Sequence, residues 1–76
     1  RMDYSSYRHL LVERQGKVLR VTLNRPDVLN AVNARLHYEL SHIWDDVMYD
    51  DETDVVVLTG AGRAFSAGGD FPWLLE

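Results

Sequence analysis

Ala64 to Phe71 read AFSAGGDF, placing a serine, two adjacent glycines and an aspartate in one short stretch. The apolar run VVVLTG precedes it and reads as a strand ending near Thr59 or Gly60, so GAGRAFSAGGD forms the loop at that strand's carboxyl end. Ligands of α/β sheets bind at such ends. A dinucleotide fingerprint finds its first two glycines in Gly60 and Gly62, but its third place falls on Phe65, too bulky for close helix–strand packing. A P-loop fails because Gly68 is followed by Gly69 and Asp70 instead of Lys and Ser/Thr. A nucleophile elbow around Ser66 departs from G-x-S-x-G at Ala64, and Ser66 lies beyond the strand tip where an elbow needs it. The last candidate is the backbone itself. Asp70, Phe71 and Pro72 form a helix start with Asp as N-cap and Pro in the first turn. Gly68 and Gly69 then offer amides near the positive end of the helix dipole, with no Cβ to keep a carbonyl oxygen away. The plainer alternative is that the glycines only turn the loop and Asp70 only caps the helix.

Other chemistry-bearing residues are weaker candidates. Asp45, Asp46, Asp50, Asp51, Glu52 and Asp54 lack the glycine and spacing of an EF-hand loop, and a solvated acidic turn is the expectation. His37 and His42 are five positions apart, about 140° around a helix, and cannot grip one metal as an i, i+4 pair would. With His9, they are expected at the surface, and no metal site is assigned. Arg25 and Arg63 are suited either to phosphate contact or to plain solvent exposure.

The elements that must carry this loop are readable from periodicity. YRHLLVERQGKVLRVTLN is a hairpin: Leu10 and Val12 share one face, as do Leu19, Val21 and Leu23, with Gln15-Gly16 as the turn. RPDVLNAVN is a loop, since Pro26 blocks a strand and Asn24, Asp27 and Asn30 favour local side-chain bonds. Asn33 caps a helix from about Ala34 to Tyr49, with Leu36, Leu40, Ile43, Trp44 and Val47 as its apolar stripe. VVVLTG lacks alternation, as in a parallel strand covered on both faces. The fold class is α/β, a hairpin plus a βαβ unit whose crossover should be right-handed.

The 76 residues contain no cysteine and carry a net charge of −4. Disulfides and thiol chemistry are excluded, a reducing compartment fits, and nucleic acid is not the expected partner. No stretch reaches membrane-spanning length, so no membrane partner is expected. So short a chain buries little core, and Trp73, Leu74 and Leu75 begin a helix without cover. The sequence is therefore expected to be an N-terminal fragment of one domain that continues beyond residue 76 or pairs with a complementary chain. Residues 1–7 are expected to be disordered or left over from a tag or cleavage.

From Val18 to Phe71 the sequence resembles the N-terminal part of the enoyl-CoA hydratase/isomerase (crotonase) superfamily. VTLNRPDVLNAVN, LHYELSHIWDDVMYDDETD and VVVLTGAGRAFSAGGDF carry the likeness, in that order. The resemblance implies a spiral of ββα repeats that binds coenzyme A thioesters and assembles as homotrimers or hexamers. It implies that the Gly69 N–H is the catalytic donor to the thioester carbonyl. Ala67, Gly68, Asp70 and Phe71 would line the acyl-pantetheine path, while Val28, Leu29 and Ala31 would border the coenzyme A moiety. It implies hydration of 2-enoyl thioesters in fatty acid metabolism, with isomerisation next, and coenzyme A as part of the substrate instead of a separate cofactor. The bacterial cytoplasm or an organellar matrix would be the compartment. Catalytic carboxylates would lie beyond Glu76, so this stretch alone would be inactive. A non-catalytic homologue, or an α/β-hydrolase fragment using Ser66, is the alternative.

Overall fold

The computed structural model describes residues 3–69. β1 (Leu10–Gln15) pairs antiparallel with β2 (Val18–Leu23), and β3 (Val55–Gly60) lies parallel to β2, giving the order β1-β2-β3. Between β2 and β3 run a 3-10 turn at Pro26–Val28 and helix α1 (Ala34–Met48). One helix and a mixed three-stranded sheet make the α/β class read from periodicity.

Alternation in the hairpin sets its buried face. Leu10 faces Leu23, Val12 faces Val21, and Arg14 faces Leu19 across the strands. Leu10, Leu19, Val21 and Leu23 are buried, and α1 closes over them with Leu36 and Ile43. Each such aliphatic side chain contributes about 1.5–3 kcal/mol relative to exposure. α1 begins where Asn33 Oδ1 accepts the Leu36 N–H at 2.9 Å, the expected cap. Gln15 pairs with Val18, so the two turn residues are Gly16 and Lys17 instead of Gln15 and Gly16. Gly16 supplies the positive φ, 62°.

Two expectations about burial change. Trp44 is 42% exposed, because it sits about 100° around the helix from buried Ile43. Its place in the stripe is taken by Glu39, which is 0% exposed. Glu39 accepts the backbone N–H groups of Arg8, His9 and Leu10 at 2.9, 2.9 and 3.0 Å and the Arg35 Nε at 2.5 Å. Burial alone would push this carboxyl up, but those donors outweigh it and hold it below the usual glutamate range. β3 is parallel as expected yet not covered on both faces: Val55 and Val57 are 52% and 38% exposed. The reason is that α1 lies over β1 and β2, and β3 gives the core only the flank of Val56.

The acidic turn and the first residues also differ from expectation. Asp50 is buried, where a solvated turn was expected. It accepts from Tyr4 Oη at 2.7 Å, Arg14 Nη2 at 2.6 Å, Thr53 Oγ1 at 3.0 Å and the Glu52 N–H at 3.0 Å. Tyr7 Oη donates to Asp46 at 2.5 Å. Tyr4 and Tyr7, in a segment expected to lack order, pack against the core. Their hydroxyls lose their protons less readily than a free phenol, through burial first and then through these carboxylates.

Candidate functional site

Two loops leave the carboxyl ends of the parallel strands β2 and β3, and they are stitched together. The first, residues 24–33, stays attached to the hairpin through Asn24 N–H and the His9 carbonyl at 2.8 Å. After the 3-10 turn, Leu29 and Asn30 both take left-handed backbone, with φ of 54° and 56°. Asparagine tolerates that region; for leucine it costs about 1–2 kcal/mol. Such strain persists only where the surroundings over-determine it.

Asn30 supplies the determination. It is 0% exposed. Its Oδ1 accepts the Arg25 N–H at 2.8 Å, and its Nδ2 donates to the carbonyls of Ala61 and Ala64 at 2.9 and 2.8 Å. Its own carbonyl accepts the Ser66 hydroxyl at 2.9 Å. One side chain thus closes its own loop and grips the second loop, residues 61–69, at two points.

The second loop is pressed onto the strand that feeds it. A Cβ on Gly60 would lie 2.4 Å from the Phe65 carbonyl oxygen and 2.5 Å from that of Ala64. Both are backbone atoms, so only glycine fits there. Further along, Ala67 N–H donates to the Leu29 carbonyl at 2.9 Å and Val32 N–H to the Gly68 carbonyl at 2.7 Å. Gly69 forms a parallel bridge with Val32. Gly68, at φ 94°, gives its N–H to Ser66 Oγ at 3.1 Å.

These bonds decide which amide is available. Gly68 N–H is engaged by Ser66. Gly69 N–H has no acceptor among the described residues, and Gly69 is exposed. Ser66 Oγ donates to one loop and accepts from the other, and no histidine is bonded to it among the described residues. No described residue thus supplies it with the base that an activated nucleophile needs. It is a loop hydroxyl, though its carbonyl partner lies across the site instead of in its own segment.

Of the other residues expected at the site, Leu29 meets Ala67 directly, and Ala31 is half-buried with its carbonyl receiving the Arg25 guanidinium. Arg25 is thus tied into the first loop, while Arg63 is exposed. Val28 is 43% exposed on the other side of the 3-10 turn, by a cleft of about 280 Å³ lined by His9, Asn24, Arg25 and Asp27. A larger hollow of about 390 Å³ lies by Tyr4, Tyr7 and Arg14, away from the glycine loop. Asp70 and Phe71, with the helix start assigned to them, lie outside the described residues. Two residues escaped sequence reasoning. Asn30 favours local bonds by its type, and nothing nearby in sequence signals its reach to Ala61 and Ala64. Gly60 ends the strand as expected, but its sequence neighbours do not signal the approach of the Ala64 and Phe65 carbonyls.

The two strand-end loops thus meet at a seam where the Gly69 amide has no acceptor among the described residues. Known proteins fix the family. The enoyl-CoA hydratase/isomerase family model matches residues 13–76. The chain is 48% identical over 65 residues to a probable enoyl-CoA hydratase of Rhizobium meliloti, covering 86% of this chain and 25% of that protein. It is 41% identical over 68 residues to a probable 3-hydroxyisobutyryl-CoA hydrolase 2 of Arabidopsis thaliana, covering 90% of this chain and 18% of that one. An enoyl-CoA hydratase/isomerase crystal structure from Mycobacterium paratuberculosis superposes with a TM-score of 0.84 at 48% identity, covering 87% of this chain and 26% of that one. The chain belongs to the enoyl-CoA hydratase/isomerase family. It spans about a quarter or less of the length of these relatives.

Proposed function

We propose that this chain forms the first part of an acyl-coenzyme A thioester enzyme, an enoyl-CoA hydratase by default, and that Gly69 N–H is its oxyanion donor. The observation that carries the reading is the Gly69 amide, exposed and without an acceptor among the described residues, at the seam where the two strand-end loops meet. Addition of water to a 2-enoyl thioester passes through an enolate-like species with charge on the carbonyl oxygen. A preorganised N–H aimed at that oxygen stabilises the charge without reorganising at the moment of reaction.

In this reading Ala67 and Gly68 line the acyl-pantetheine path, continued by Asp70 and Phe71, and Val28, Leu29 and Ala31 border the coenzyme A moiety. Coenzyme A arrives as part of the substrate, and homotrimers or pairs of trimers are the assembly. The carboxylates for proton transfer come from chain outside this sequence. That division leaves room for a second reaction, hydrolysis of an acyl-coenzyme A thioester, which the resemblance to the Arabidopsis thaliana hydrolase favours. Both reactions use the same donor.

The test is Gly69→Pro in the full-length protein, which deletes the N–H. Turnover of crotonyl-coenzyme A should fall about 10²–10³-fold with the circular dichroism spectrum unchanged. Unchanged turnover would remove Gly69 from the mechanism.

A further inference from the structure

We infer that Asn30 is a positioning residue for catalysis: its buried carboxamide clamps the second loop so that the Gly69 N–H is held in line with the thioester carbonyl. The inference rests on the Gly69 reading above and adds the part that aims it.

Asn30 is completely buried, and its carboxamide makes one bond as acceptor, to Arg25 N–H, and two as donor, to Ala61 and Ala64 carbonyls. The Ser66 hydroxyl adds a fourth link through the Asn30 carbonyl. From Ala64 only a few residues lead to Gly69, and Ala67 and Gly68 are bonded in turn to Leu29 and Val32 on either side of Ala31. Asn30 therefore makes three of the bonds between the two loops and lies between Leu29 and Val32, which make the others. Its backbone is left-handed, with φ of 56°, and its carboxamide bonds both its own loop and the one across the seam. A donor that must meet a developing oxyanion loses rate steeply with misplacement, about 10²-fold for an error of roughly 1 Å. The clamp thus bears on turnover more than on affinity, because substrate contacts outside the seam are left alone.

Two variants of the full-length protein test this. Asn30→Asp keeps the shape and the acceptor for Arg25 N–H but cannot donate to Ala61 and Ala64. Asn30→Gly keeps the left-handed backbone without strain and removes the carboxamide, which covers the case where Asn30→Asp does not fold. With crotonyl-coenzyme A as substrate, kcat should fall about 10²-fold with KM little changed. Amide exchange should rise about tenfold at Ala67 and Val32 and stay as it was at Leu40 and Ile43 in α1. A drop in kcat with unchanged exchange at Ala67 and Val32 overturns the inference, and so does equal acceleration in α1, which marks general destabilisation. If Gly69→Pro slows turnover while both Asn30 variants keep it, positioning by Asn30 falls alone. If Gly69→Pro keeps turnover, the Gly69 reading falls and takes this inference with it.

Discussion

The two ends of the sheet are each knotted by one buried polar side chain, and the knots are of opposite kinds. At the hairpin end, Asp50 follows α1 and gathers Tyr4, Arg14, Glu52 and Thr53. At the loop end, Asn30 joins Arg25 to Ala61 and Ala64. The groups to be satisfied choose the side chain. Asp50 faces donors only, a hydroxyl pair, a guanidinium and an N–H, which an ionised carboxylate can serve together. Asn30 faces one N–H and two carbonyls, and only a carboxamide both accepts and donates. The hairpin knot is consequently ionic and answers to pH. The Asn30 carboxamide does not titrate, so acidity does not switch its own bonds. The contrast is between the two knots themselves, since Glu39 with Arg35 and the Arg25 guanidinium also place charge at the loop end.

The contrast can be broken most severely at Gly60. Gly60→Ala drives a methyl into the Ala64 and Phe65 carbonyls and should displace the loop that Asn30 grips. In the full-length protein kcat should fall about 10²-fold, with a stability loss of roughly 1–3 kcal/mol in denaturant titration. The hairpin end should keep its amide protection. Retained turnover would mean that the loop tolerates being lifted off the strand.

The ionic knot predicts an acid response. Asp50 is lowered from 3.8 to about 2, first by the Tyr4 hydroxyl and then by Glu52 N–H, Thr53 and Arg14, against the effect of burial. A depressed carboxyl contributes stability above its unfolded pKa and loses it as pH falls through the folded one. Protection around Thr53 and Arg14 should therefore decline between about pH 4 and about pH 2, with Ala61 and Ala67 lagging. Asp50→Asn should weaken the hairpin end at neutral pH and flatten that decline. Equal acid loss at both ends would erase the distinction. The smallest effect is expected at Asn33→Ala, which removes the helix cap and touches neither knot. It should cost about 1 kcal/mol by chemical denaturation, with kcat unaltered.

Much of this was legible because it is periodic. The Leu10–Val12 and Leu19–Val21–Leu23 alternation, the Asn33 cap and the Leu36, Leu40, Ile43 and Val47 part of the helical stripe each depend on neighbours in sequence and stand as read, while Trp44 does not. The parallel pairing of β3 was legible too, from the loop and helix length before it. What could not be read are bonds that close over distance. Leucine carries no signal for left-handed backbone, so Leu29 is set by the bonds around it and not by its own preference. Asn30 looks like any loop asparagine until Ala61 and Ala64 arrive from the other side of α1. Glu39 did leave a trace, a charge inside the stripe between Leu36 and Ile43, and its meaning appears only when the start of β1 brings three N–H groups to it. Tyr4 and Tyr7 find their carboxylates 46 and 39 positions away.

Gly68 holds one more consequence. Its φ is 94°, and a Cβ there would meet no described atom within 4 Å. Space does not reserve the position for glycine; handedness does. A mirror-image residue, whose preferred torsions are those of Gly68, should be accepted where its natural enantiomer is not. D-alanine introduced there by chemical synthesis would then stiffen the loop from within and leave its outline intact.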